Sequence, residues 1–188
     1  MTSYQNESIK KYLDDLAAKL PAPGGGSAAS LTAALGAALL SMVINFTLGK
    51  PKYAKYEQEL KEMLEVSEQL RKGFLDLVDE DVAAYKSKDV RKSLEVPLRV
   101  CRLCADAIML SPDLIQKGNR NLISDVACAA VLLESAFSSA FYNVEINLKL
   151  LDDKELSDTL RKELTEQEKL IKKTRTHMEA EVGKIIRG

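Results

Sequence analysis

Apolar residues recur every three to four positions along most of the 188-residue chain, and alternating strand patterns are scarce. Proline and glycine divide that pattern. Pro21 and Pro23 with Gly24, Gly25 and Gly26 make the first break, Gly49 and Pro51 the second, and Pro97 a third. Ser111-Pro112 and Gly118-Asn119 bracket a fourth. Between the breaks Ala, Leu, Glu and Lys dominate, all good helix formers. The spacing predicts helices over about Ser8 to Leu20, Ser27 to Leu48, Tyr53 to Ser87, Arg91 to Leu110, Asn121 to Leu151 and Glu155 to Ile186. The expected fold is all-α, a bundle of about six helices around two long Ala-rich ones. With no repeat or linker, residues 1–188 read as a single domain.

The stretch from Ser27 to Leu48 carries no charge and is long enough to span a membrane. Its wealth of Ala, Ser and Thr and its late start, after Asp14 and Asp15, argue for a core helix instead of a span or a signal peptide. Ala29, Ala33, Ala37 and Ser41 share one face, where another backbone can come close. Asn121 to Leu151 is its natural partner, another charge-poor helix, whose Asp125, Glu134 and Glu145 would be costly in lipid. Leu60, Leu64, Leu70, Phe74, Leu77 and Val78 draw an apolar stripe along the third helix. The last helix alternates Glu with Lys and Arg and reads as an outer, solvated one.

Composition narrows the chemistry. Lys and Arg number 27 against 28 Asp and Glu, for a net charge of -1, which gives no basic excess for nucleic acid and no polybasic membrane anchor. One His and three Cys cannot stock a His/Cys metal centre, and an odd cysteine count fails as a disulfide framework, so a cytoplasmic setting is expected. Catalysis would rest on carboxylates, amides, hydroxyls and backbone groups.

Several positions break the helical pattern. Pro21-Ala22-Pro23-Gly24-Gly25-Gly26-Ser27 precedes an uncharged helix, with bare glycine backbone able to adopt positive φ and Ser27 suited to cap the helix. Free N–H groups and the positive end of the dipole there suit an anion or a ligand lying flat on the backbone. Asp81 falls on the third helix's apolar stripe, one turn before Tyr85. Such a carboxylate is either a general acid or base with a raised pKa or a structural partner of an Arg or Lys. Gly118 to Asp125 opens the fifth helix with more polar groups than a cap requires. Ser135, Ser139, Asn143 and Asn147 then draw a polar line down that helix, which either bonds a partner helix or lines a cleft. Cys101 and Cys104 read as buried small hydrophobes and His177 as a surface residue. The Asn45-Phe46-Thr47 sequon lies in a helix read as buried.

PAPGGGSAASLTAALGAALLSMVINFTLGK, VDEDVAAY, VPL, GNRNLISDV and NVEINLK together resemble, in order and spacing, the cyclodeaminase/cyclohydrolase family. Its members are the cyclodeaminase domain of formiminotransferase-cyclodeaminase and free-standing methenyltetrahydrofolate cyclohydrolases. The resemblance covers nearly the whole chain and implies an all-helical homodimer with folate clefts near the subunit interface, and no cofactor beyond the tetrahydrofolate substrate. It places Gly24, Gly25, Gly26 and Ser27 on a glycine loop, Asp81 on an acidic helix position, Asn119, Ser124 and Asp125 on a GN…SD loop, and Asn143 and Asn147 on an NVxINLK segment. Asp81 is then expected as the base that takes a proton from water, and Asp125 as a group that orients water or shuttles a proton. The remaining positions, with Tyr85, would contact substrate, and Lys50, Lys52 or Lys55 would meet its anionic tail. No formiminotransferase domain accompanies these residues, and Leu122 stands where bifunctional members carry cysteine. Both features favour hydrolysis of methenyltetrahydrofolate over release of ammonia from the formimino form. A helical interaction protein without catalysis is the third reading.

Overall fold

A computed structural model describes residues 3–188. Seven α-helices form the bundle: α1 (Ile9–Ala17), α2 (Gly25–Asn45), α3 (Glu57–Ser87), α4 (Val90–Ile108), α5 (Ser111–Lys117), α6 (Ile123–Leu151) and α7 (Lys154–Arg187). No strand occurs among the described residues. Side-chain caps set three of the starts: Ser8 for α1, Asp89 for α4 and Asp153 for α7 each accept backbone N–H groups of the first turn.

The structure corrects three local expectations. The expected break at Ser111-Pro112 holds the short helix α5, because a proline in the first turn gives up only an N–H that has no helical partner. Pro97 does not break its helix but lies buried inside α4. At the first break, α2 begins at Gly25 with Gly24 as its N-cap, which puts Ser27 in the first turn instead of at the cap. None of Gly24, Gly25 and Gly26 has a positive φ, so these glycines supply room, not left-handed geometry.

Helix α2 is the centre of the bundle, packed against α3 and α6 with α4 behind. Leu40, Ile44, Phe74, Leu77, Ile108, Leu133 and Phe137 fill the core and are fully buried. Ala29, Ala33, Ala37 and Ser41 are buried as the small-residue face anticipated. The last helix is outer, but its stripe of Leu160, Leu164, Ile171, Met178 and Val182 is buried against the bundle. Both α2 and the Arg120–Leu151 stretch are long and apolar enough to cross a membrane by length and composition, and most of the apolar window of α2 is covered by other helices.

Gly36 lets α2 and α6 touch. A Cβ there would stand 2.9 Å from Leu133 Cγ and 3.3 Å from the Ala129 carbonyl oxygen, both too constrained to retreat cheaply. Gly36→Ala is therefore expected to destabilise the fold by about 1–3 kcal/mol in urea denaturation, despite alanine's better helix propensity. An unchanged midpoint would show that the helices separate freely.

A second, smaller cluster fastens the N-terminal segment. Tyr4, Tyr12, Ala22, Val78 and Val82 are buried together. Ser3 Oγ and the Tyr4 N–H both donate to Asp79, each at 2.6 Å. Tyr12 Oη and Ser27 Oγ lie 3.2 Å apart, which ties this strap to the start of α2.

Candidate functional site

The start of α2, the end of α3, the first turn of α4 and the end of α6 converge on one cavity of about 690 Å³. That volume lies within the range of small-molecule sites. Gly24, Gly25, Gly26, Asp81, Tyr85, Asn143 and Asn147 line it, together with Pro21, Ala22, Val90, Ile146 and Leu150.

Asp81 is its only carboxylate among the described residues. One oxygen, Oδ2, accepts the Ser27 backbone N–H at 2.9 Å, so a free donor of the first turn of α2 holds the acid in place. The carboxylate occupies the space beside Gly26 where a side chain would stand: a Cβ would lie 2.8 Å from Asp81 Cγ and overlap Oδ1. Burial pushes the Asp81 pKa up and the Ser27 N–H pulls it partly back, leaving it above the usual carboxylate range. No Lys or Arg pairs with Asp81 among the described residues, so the salt-bridged reading of this acid does not hold. Tyr85, one turn on, is more than half exposed at the mouth.

Asn143 and Asn147 are oriented by carbonyls. Asn143 Nδ2 donates to Ser139 O at 2.9 Å, and Asn147 Nδ2 donates to Asn143 O at 2.8 Å and to Ser93 O at 2.9 Å. Carbonyls only accept, so each amide must turn its NH2 toward them and keep its oxygen free as an acceptor. Ser93 lies four residues before Pro97, which has no N–H to offer its carbonyl. Asn147 thus closes the gap that Pro97 opens in α4, which is why the helix survives the proline. The Asn143 amide lies flat against Gly25, where a Cβ would be 3.2 Å from Nδ2.

The remaining expected site residues lie elsewhere in this chain. Ser27 lends the cavity its backbone N–H, but its side chain is fully buried, donating to Val78 O at 3.1 Å. Asn119 is buried near the far end of α2, its N–H on Thr47 Oγ1 at 2.8 Å and its amide on Phe46 O at 3.3 Å. Ser124 and Asp125 sit in the first turn of α6. Eighteen residues of helix separate Asp125 from Asn143, about 27 Å at 1.5 Å per residue. Within one chain Asn119, Ser124 and Asp125 therefore do not meet Asp81. Lys52 and Lys55 also lie beyond the far end of α2, over the rings of Tyr53 and Tyr56. The cations lining the cavity are instead Lys86 and Lys88, which the sequence reading passed over; their signal was the run of cations at the α3–α4 turn.

Cys101 and Cys104 are fully buried, and burial pushes the Cys101 thiol up to about 12. His177 is exposed. Asn45 and Phe46 are exposed where α2 ends, not buried as the sequon reading had it.

An all-α bundle with a half-buried acid held against the start of its central helix, in a cavity it shares with two amides, defines a class of helical domain with a small-molecule-sized cleft at this end of the bundle. The family model described as formiminotransferase-cyclodeaminase matches residues 8–88 and 86–166, and the chain belongs to that family. It is 39% identical over 182 residues to the methenyltetrahydrofolate cyclohydrolase of Methylorubrum extorquens, covering 85% of this chain and 88% of that protein. It is 28% identical to the formimidoyltransferase-cyclodeaminase of Rattus norvegicus over 80% of this chain, and spans about a third of that longer protein (32%). The crystal structure of formiminotetrahydrofolate cyclodeaminase from Thermotoga maritima superposes with a TM-score of 0.91 at 31% identity, covering 97% of this chain and 99% of that one.

Proposed function

We propose that this protein is a methenyltetrahydrofolate cyclohydrolase, adding water to 5,10-methenyltetrahydrofolate to give 10-formyltetrahydrofolate. The observation that carries the reading is Asp81, a half-buried carboxylate held at the start of α2 in a cavity lined also by amides, a phenol, two lysines and apolar groups. The 39% identity to a cyclohydrolase along nearly its whole length supports it.

The substrate bears an amidinium cation between two ring nitrogens. Asp81 offsets that charge and takes a proton as water adds to the bridging carbon. The tetrahedral adduct then opens: its hydroxyl gives up a proton as the formyl C=O forms and the bond to N5 breaks, N5 takes the proton held by Asp81, the formyl group stays on N10, and one proton is released to solvent overall. The acceptor oxygens of Asn143 and Asn147 face the donor-bearing edge of the pterin, and the bare backbone at Gly24 to Gly26 lets the ring system lie close. The reaction requires no metal and no cofactor beyond the folate. Three free thiols fit the reducing cytoplasm as its setting.

The protein is proposed to work as a homodimer. Leu35 on α2, Phe46 just past its end, and Tyr142 and Ile146 on α6 are each more than half exposed. A two-fold axis across these antiparallel helices would carry the Asn119–Asp125 loop of a second copy toward the Asp81 cavity. That is how Asn119, Ser124 and Asp125 would serve one site with Asp81.

The test is the near-ultraviolet absorbance of methenyltetrahydrofolate with purified protein. Its decay is expected to exceed the rate in buffer alone; equal rates with a folded dimer would overturn the reading. Ammonia release from the formimino substrate exceeding this hydrolysis would assign the cyclodeaminase reaction instead.

A further inference from the structure

Pro97 lies inside α4, well past the first turn, where a proline lacks the N–H that the helix ladder needs and crowds the carbonyl four residues before it. That carbonyl belongs to Ser93, which lines the Asp81 cavity. Pro97 itself is buried and forms no part of the cavity wall, so contact with a ligand does not account for it.

The carbonyl that Pro97 frees is used. Asn147 Nδ2 donates to Ser93 O at 2.9 Å and to Asn143 O at 2.8 Å, so both hydrogens of the amide are committed to carbonyls from two different helices. Asn143, one turn earlier on α6, has only the bond to Ser139 O within its own helix. An amide held from its own helix alone can swing about its side-chain torsions, whereas one held from two helices has its plane fixed. The Asn147 oxygen is thereby left as an acceptor of set direction at the cavity wall. With any residue other than proline at position 97, a backbone N–H would take Ser93 O along the helix axis, and the amide would keep only its bond to Asn143 O. The residue least suited to α4 is the one that suits Asn147.

We propose that Pro97 is a positioning residue for substrate binding: it withholds a helical N–H from Ser93 O so that this carbonyl anchors Asn147, whose oxygen then stands ready for a donor-bearing edge of the ligand. The inference rests on the folate reading of the Asp81 cavity and supplies the anchor behind one of its contacts. It concerns binding and not the proton transfers of Asp81, so KM carries the effect and kcat does not.

The experiment is a double-mutant cycle of wild type, Pro97→Ala, Asn147→Ala and the double variant, read by steady-state hydrolysis of methenyltetrahydrofolate and by thermal melts. Pro97→Ala is expected to raise KM roughly five- to tenfold with kcat within about twofold. Its Tm should stay level or rise, since α4 regains an N–H and gains a better helix former. Asn147→Ala should raise KM at least as far and lower the Tm, because Ser93 O then loses its donor. In the double variant KM should match that of Asn147→Ala within about twofold, while the Tm recovers as the N–H at position 97 takes up Ser93 O. Stability regained without affinity regained is the mark of a positioning role. Pro97→Val restores the same N–H while filling the space of the ring, and should behave as Pro97→Ala does; a defect confined to the alanine variant would mark a mere cavity and overturn the proposal. A wild-type KM in Pro97→Ala would also overturn it, as would KM effects that multiply in the double variant. Absence of turnover in the wild type would overturn the folate reading and this proposal together, whereas an active wild type indifferent to position 97 overturns this proposal alone.

Discussion

Asp81→Asn is expected to lower the hydrolysis of methenyltetrahydrofolate at least about 100-fold while leaving the fold as stable as before or slightly more so. The two effects follow from the same feature. Burial raises the pKa of Asp81 above the ordinary carboxylate range, with the Ser27 N–H only partly offsetting it. A group that binds its proton more tightly folded than unfolded favours the native state when protonated. That contribution is complete below the unfolded pKa and is lost as pH rises through the raised folded value. At neutral pH the buried charge is thus a burden on stability, and asparagine, which still accepts the Ser27 N–H, removes it. Activity runs the other way, since the base works only when ionised. Turnover of the wild type should climb as pH rises through the raised pKa and then level, while the residual activity of Asp81→Asn should lack that limb. Rates measured across the pH range, paired with thermal melts of both proteins, decide the matter. Near-normal turnover in Asp81→Asn would remove the residue as base.

Gly26→Ala should produce nearly as large a loss without replacing any side chain of the site. In an ordinary helix the change would stabilise by roughly 1 kcal/mol. Here the new methyl group falls on Asp81, 2.8 Å from Cγ and 3.1 Å from Oδ2. Aspartate is short and already tied to Ser27 N–H, so it cannot swing aside and keep that bond. Displacing the carboxylate by about 1 Å is expected to lower kcat/KM about 100-fold. Gly73→Ala, on α3 and outside the cavity lining, is the control, because a Cβ there meets only Leu103 Cδ1 at 3.9 Å. Equal activities of the two alanine variants would show that the approach of Asp81 to α2 is not what positions it.

Asp81 and the glycine loop were legible as separate oddities: a charge on an apolar stripe, and three glycines before an uncharged helix. Nothing local joined them, and the glycines pointed toward positive φ when their use is to admit a carboxylate. Asn147 was legible as one member of a polar line and Pro97 as a break. Neither could be read alone as one device, in which the amide of one helix takes the carbonyl that the proline leaves free in another. Lys88, left-handed at φ 59°, went unremarked as a lining residue because its position follows from how α3 meets α4. The Asn119, Ser124 and Asp125 group was legible as surplus polarity, and the chain by itself keeps it about 27 Å from the cavity.

The sequence by itself determined the helices, because their signals are local: apolar spacing of three to four, capping residues and the positions of proline and glycine act over a few residues. It also determined the scarcity of metal ligands and the near-balance of charge. Only the tertiary structure decided which acid meets which helix start and which amide meets which carbonyl. Ser27 with Asp81, and Ser93 with Asn147, each stand 54 residues apart, and packing of whole helices, not any rule of neighbouring residues, brings such groups within hydrogen-bond distance.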